Sequence, residues 1–171
     1  HTGFLPDVVP LAKGLAGGVP VGACVVGGRA RGVFKPGNHG STFGGNQLAM
    51  CGVVTTLDTV KEEGLLENAA KVGAAMLNGL KASLGGVAGV IEVRGMGLMI
   101  GVELDRPCGE LVKTGLDAGL VFNVTADNVV RLLPALIISE TEGREVVERL
   151  APLIREFLAK GSAQPKLAAA R

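Results

Sequence analysis

The chain has 171 residues, 47% of them hydrophobic, with 27 glycines and a formal net charge of +1. That apolar content excludes a disordered chain, and the length allows a core of ordinary size. A nearly balanced charge with no long basic run argues against nucleic acid as a partner. No apolar stretch approaches the roughly 20 residues of a membrane span, because Gly, Pro or a charge interrupts each one.

The start, His1-Thr2-Gly3-Phe4-Leu5-Pro6, has no Met and matches no signal or transit peptide; it reads as cut from inside a longer protein. The next segment, Val8 to Gly18, is apolar and Gly-rich, with Lys13 in its middle. An amine held among apolar neighbours is partly desolvated, which favours the neutral form that imine chemistry requires. A lysine snorkelling at the surface fits the same pattern.

Residues 19–26 (VPVGACVV) have the composition of a short buried strand between Gly17-Gly18 and Gly27-Gly28. Residues 29–45 form a long Gly/Pro/Asn/Ser loop. Its end, His39-Gly40-Ser41-Thr42-Phe43-Gly44-Gly45-Asn46, sets two hydroxyls and free backbone N–H groups before a helix start. Those groups suit a phosphate, or they form a plain loop with a cap.

Asn46 is the expected N-cap of a helix carrying Met50, Val53, Val54, Leu57 and Val60 on one face and ending at Gly64. A second helix is expected over 65–84, with Leu66, Ala69, Val72, Met76, Leu80 and Leu84 inward and Gly85-Gly86 closing it. Arg94-Gly95-Met96-Gly97 resembles a tight turn feeding a strand over 98–104, where the apolar period changes to two.

A helix near 108–118 and strands near 120–124 and 129–133 follow. Arg131 lies within the second of these strands. Facing inward it needs an anion and suits a carboxylate; on an edge strand it faces water. Ser139 and Glu142 form a capping box for a last helix, whose apolar face is Val146, Val147, Leu150, Leu153, Ile154, Phe157 and Leu158. Pro152 should kink or interrupt it, and residues 161–171 form a tail of small residues expected to be disordered.

Cys24, Cys51 and Cys108 form no CxxC pair and are expected as small buried hydrophobes in a reducing cytosol. With only His1 and His39 as histidines, no metal site is expected.

Four segments, LAKGLAGGVPVGACV, HGSTFGGNQLAM, VRGMGLMIGVEL and VRLLPALIISETE, occur in the order and spacing of class III pyridoxal-phosphate aminotransferases. The chain resembles that family from residue 1 to about residue 160. The resemblance implies the α/β fold of the fold-type I pyridoxal-phosphate transferases. Residues 1–62 would then be the end of the large cofactor-binding domain, and residues 63–160 the small C-terminal domain.

The resemblance also implies site roles. Lys13 holds pyridoxal phosphate as a Schiff base and shuttles the proton. Thr42, with Ser41 beside it, binds the cofactor phosphate of the opposite subunit, which implies a homodimer. Arg131 holds the substrate α-carboxylate. The implied reaction moves an amino group from N-acetylornithine or a similar ω-amine donor to 2-oxoglutarate, as in arginine biosynthesis, in the cytoplasm. Ornithine, 4-aminobutyrate and succinyl-diaminopimelate are alternative donors. Gln47 and Ala135 stand where the family usually has proline. The family's pyridine-nitrogen aspartate, main phosphate loop and ring-stacking aromatic would lie upstream, so the isolated chain is expected to be a non-catalytic fragment.

Overall fold

The computed structural model describes residues 3–162. They fall into two compact units, divided after Gly64.

In the first unit, strand β1 (Val8–Leu11) pairs antiparallel with β2 (Ala23–Val26), Val8 opposite Val26 and Leu11 opposite Ala23. Pro10 is tolerated because a two-stranded ribbon leaves each strand one unpaired edge. The strand expected over 19–26 is therefore shorter and, contrary to expectation, not buried: Val25 is 55% exposed. Its predicted first half is lost where Gly18 takes φ +117° and Pro20 has no N–H to offer a ladder.

Helix α1 (Gln47–Glu62) starts where expected, with Asn46 Oδ1 accepting from the Ala49 N–H at 3.0 Å. Met50, Val54 and Leu57 remain exposed, so its expected apolar face is not covered by this unit.

The second unit contains a four-stranded antiparallel sheet of order β3-β4-β6-β5. The strands are β3 (Val90–Met96), β4 (Met99–Leu104), β5 (Asn123–Thr125) and β6 (Val129–Leu132). Arg94, Gly95 and Met96 belong to β3, correcting their assignment to a turn; the reversal is Gly97-Leu98. β3 escapes sequence reading because its outward residues include Ile91 and Met96, which blurs the alternation.

Helix α2 (Leu65–Leu84) matches its expected span, although Leu65 is buried and Leu66 is 67% exposed, the reverse of the expected phase at that end. Helix α3 is Glu110–Asp117, and α4 is Glu140–Ser162. Helix α4 runs on through Pro152, which corrects the expected interruption. A proline costs a helix one N–H bond and a steric clash, here outweighed by the burial of Leu150, Ala151, Ile154 and Leu158 around it. The helix includes Gly161 and Ser162, so the expected tail is shorter at its start; its remainder, 163–171, lies outside the described residues.

Val72, Met76, Leu80 and Leu84 of α2 meet Ile100, Val102 and Leu104 of β4, Val130 and Leu132 of β6, and Leu150 and Ile154 of α4 in one core. All three helices contribute to it, Leu111 coming from α3. Cys108 is buried there, while Cys24 and Cys51 are exposed, against the expectation that all three are buried. Burial pushes the Cys108 thiol up from its ordinary value. Among the described residues no helix is long and apolar enough to cross a membrane.

Candidate active site

Lys13 opens a single 3-10 turn, Lys13–Ala16, directly after β1. Its φ is +59°, in the left-handed region that non-glycine residues avoid at a cost of about 1–2 kcal/mol. Held strain of this kind is concentrated at functional sites. The turn is closed by Leu15 N–H to the Ala12 carbonyl at 3.3 Å and by Gly17 N–H to the Gly14 carbonyl at 3.2 Å.

Its far end is pinned to α1. Ala16 is 3% exposed, and a Cβ added at Gly52 of α1 would lie 3.2 Å from the Ala16 Cβ. A Cβ there would be tighter than most such contacts, so glycine eases the close approach of the turn. At the other end, Asp7 anchors the start of β1. Its carboxylate accepts from the Arg29 backbone N–H at 2.7 Å and from Arg29 Nε and Nη2 at 3.1 and 2.9 Å. The Arg29 backbone donor first, and then its guanidinium, holds the Asp7 carboxyl below the usual carboxylate range. This bracket was not legible in the sequence, where Arg29 is one more polar residue of a loop.

The side chain of Lys13 is exposed, so the apolar surroundings expected to desolvate it are not supplied by this unit. Among the described residues it has no hydrogen bond or ion pair. Beside it, a Cβ at Gly14 or at Gly18 would meet nothing within 4 Å, which leaves open space for a flat group to approach the backbone.

Ser41 and Thr42 lie in the turn that leads into α1. Gly44 N–H donates to the Ser41 carbonyl at 3.1 Å, and both Asn46 N–H and Asn46 Nδ2 donate to the Phe43 carbonyl. The Thr42 side chain is exposed and has no hydrogen-bond partner among the described residues. The loop with the hydroxyls and the turn with Lys13 are thus fixed to the same helix, one through its N-cap and the other through Gly52. No hydrogen bond joins Lys13 to Ser41 or Thr42 among the described residues.

Arg131 belongs to the second unit, on β6. Its neighbours in the strand, Val130 and Leu132, are buried in the core, so Arg131 projects from the opposite face of the sheet. There it lines an open cavity of about 580 Å³ together with Arg94, Met96, Met99, Thr125 and Val129. Its Nε donates to Asn123 Oδ1 at 3.1 Å, and it has no carboxylate partner among the described residues.

Residues 1–154 match the family described as Aminotransferase class-III. The chain belongs to the class III aminotransferases. This class III chain is 56% identical over 155 residues to acetylornithine aminotransferase 1 of Bordetella bronchiseptica, covering 91% of its own length and 39% of that relative. It therefore spans well under half of the curated relative it matches.

Among solved structures, ornithine delta-aminotransferase of Plasmodium falciparum superposes with a TM-score of 0.85 at 36% identity, over 92% of this chain and 42% of that one. Acetylornithine aminotransferase of Elizabethkingia anophelis does so with a TM-score of 0.80 at 34% identity, over 91% of this chain and 40% of that one. The mixed α/β fold of this class III chain is that of the pyridoxal-phosphate-dependent aminotransferases.

Proposed function

We propose that the protein carrying this chain is an aminotransferase that moves an amino group from N-acetylornithine to 2-oxoglutarate, with Lys13 as its catalytic residue. The observation that carries the reading is Lys13 itself, an exposed, unpartnered amine kept in a strained backbone conformation at a turn locked by Ala16 and Gly52. The names of the relatives support the donor, since acetylornithine aminotransferases match along nearly the whole chain. The ornithine aminotransferase structures favour ornithine as the second reading.

Pyridoxal phosphate is the cofactor of this reading, and the residues present fit it. A free primary amine, open space at Gly14 and Gly18, and an unpartnered hydroxyl at Thr42 match an aldehyde, a planar ring and a phosphate. When bound, the cofactor supplies an electron sink for the negative charge that develops at the substrate carbon.

The chain's own residues do the rest. Lys13 Nζ would hold the cofactor and, once released by substrate, would take the proton from the substrate carbon as general base and give it up as general acid. The Thr42 hydroxyl, with Ser41 next to it, would donate to the phosphate bound by a partner subunit in a homodimer. Arg131 would receive through its planar fork the α-carboxylate that adjoins the reacting carbon of 2-oxoglutarate.

The two exposed free thiols, Cys24 and Cys51, suit the reducing cytosol in which this reading places the enzyme. In the domain assignment proposed here, residues 1–62 close the large domain and 63–160 form the small one. Because Lys13 and β2 lack cover within their unit, activity is assigned to the longer protein and not to the isolated chain.

The test is borohydride reduction of the full-length, cofactor-loaded protein followed by peptide mapping. A pyridoxyl tag on Lys13 is expected; a tag on any other lysine overturns the assignment.

A further inference from the structure

The sheet of the second unit sets four residues in one cross-strand row. Arg94 on β3 pairs with Gly101 on β4, Gly101 with Arg131 on β6, and Arg131 with Asn123 on β5. Directly paired residues share a face of the sheet, so this row runs along the side away from the core. Gly101 contributes no side chain. The gap it leaves is the floor of the cavity, with Arg94 on one side and Arg131 on the other.

The two arginines differ in what already holds them. Arg94 Nη1 donates to Glu92 Oε2 at 2.7 Å and to Glu103 Oε2 at 2.5 Å, so two carboxylates meet its charge. Those contacts, Glu103 first, raise the Arg94 guanidinium further above its ordinary value. Arg131 is held only through Nε, by the neutral amide oxygen of Asn123 at 3.1 Å. Its two terminal nitrogens stay available, and its full positive charge is uncancelled among the described residues.

We propose that Asn123 is a positioning residue that fixes the plane of the Arg131 guanidinium over the Gly101 gap while leaving its charge free for a substrate carboxylate. The inference rests on the reading of Arg131 as the carboxylate-binding residue. The physical point is the choice of acceptor. An aspartate at position 123 would hold the same nitrogen with nearly the same shape, but would form an ion pair that competes with the incoming carboxylate. An asparagine orients and does not compete. Losing it frees a rotamer-rich side chain that must then be ordered at each binding event.

The experiment uses the full-length, cofactor-loaded protein with Asn123→Ala, Asn123→Asp, Arg131→Gln and the double variant Asn123→Ala/Arg131→Gln. It reads glutarate affinity by calorimetry, melting temperature, and kcat and KM with N-acetylornithine and 2-oxoglutarate. Asn123→Ala should weaken glutarate binding and raise the KM for 2-oxoglutarate by roughly 5- to 30-fold, with kcat nearly unchanged. Asn123→Asp should fold like the parent and weaken binding at least as much. In the Arg131→Gln background, Asn123→Ala should add nothing, because the group it positions is gone.

If Arg131→Gln leaves glutarate affinity unchanged, the reading of Arg131 falls and the inference with it. If Arg131→Gln weakens binding while Asn123→Ala or Asn123→Asp does not, the reading of Arg131 stands and the inference is overturned. An equal loss from Asn123→Ala in both backgrounds marks a role in strand β5 alone, and also overturns it.

Discussion

Gly73 of α2 and Gly97 of the β3–β4 reversal touch backbone to backbone: a Cβ added at Gly73 would lie 2.1 Å from the Gly97 carbonyl oxygen. Gly97 itself has φ +53°, so the reversal cannot relax by taking an ordinary conformation without rebuilding the turn. Gly73→Ala should therefore cost about 1–3 kcal/mol or more, as over-packing does, and lower the melting temperature of the full-length protein. Because the same reversal joins Met96 and Met99 at the rim of the Arg131 cavity, KM should rise as stability falls. A variant with unchanged melting temperature would show that α2 is not held against the turn.

Lys13 offers a separation of stability from chemistry. Lys13→Ala and Lys13→Gly both remove the amine, and each should cut turnover by at least about 10²-fold. Only glycine accepts φ +59° without steric cost. The cofactor-free Lys13→Gly protein should accordingly be about 1 kcal/mol more stable than Lys13→Ala, measured by thermal melting. Equal melting temperatures would remove backbone strain from the account of this site.

Thr42 is exposed and without a hydrogen-bond partner among the described residues, so its hydroxyl has little structural work to lose. Thr42→Ala should leave the melting temperature of the cofactor-free protein unchanged. It should weaken retention of pyridoxal phosphate roughly tenfold, the scale of one hydrogen bond to a charged group. Equilibrium dialysis of the cofactor checks this, and unchanged retention would rule out the phosphate contact.

Arg131→Ala should raise KM for 2-oxoglutarate by roughly 10- to 100-fold, since its α-carboxylate adjoins the carbon that reacts. Steady-state kinetics with each substrate varied in turn reads this. An unchanged KM for 2-oxoglutarate would remove Arg131 from the site.

The capping box at the start of α4 carries a pH dependence. Glu142 accepts from the Ser139 N–H at 2.8 Å, and Ser139 Oγ accepts from the Glu142 N–H at 3.2 Å. The backbone donor of Ser139 first, and then its hydroxyl, holds the Glu142 carboxyl below its ordinary value. A carboxylate depressed on folding contributes stability that is complete above the ordinary glutamate range and is lost as pH falls through its lowered folded value. Glu142→Gln should thus destabilise α4 at neutral pH and converge on the parent in acid, as followed by circular dichroism melts across pH.

Features set by near neighbours in the chain were legible before folding. The Asn46 cap, the span Leu65–Leu84 and the Ser139/Glu142 box all rest on groups three or four residues apart, and the structure has each of them. The motifs around Lys13, Thr42 and Arg131 likewise pointed to chemistry because residue type and order are enough to suggest it.

What only the tertiary structure decided is who stands beside whom across strands. Nothing local says that Arg94, Gly101, Arg131 and Asn123 share a row, that Arg94 is neutralised while Arg131 is not, or that Ala16 packs against Gly52. A helix closes its hydrogen bonds within one turn, so its pattern is written in a short window. A sheet closes them between distant segments, and its register, and with it the charge balance of every side chain on its face, exists only once the chain has folded.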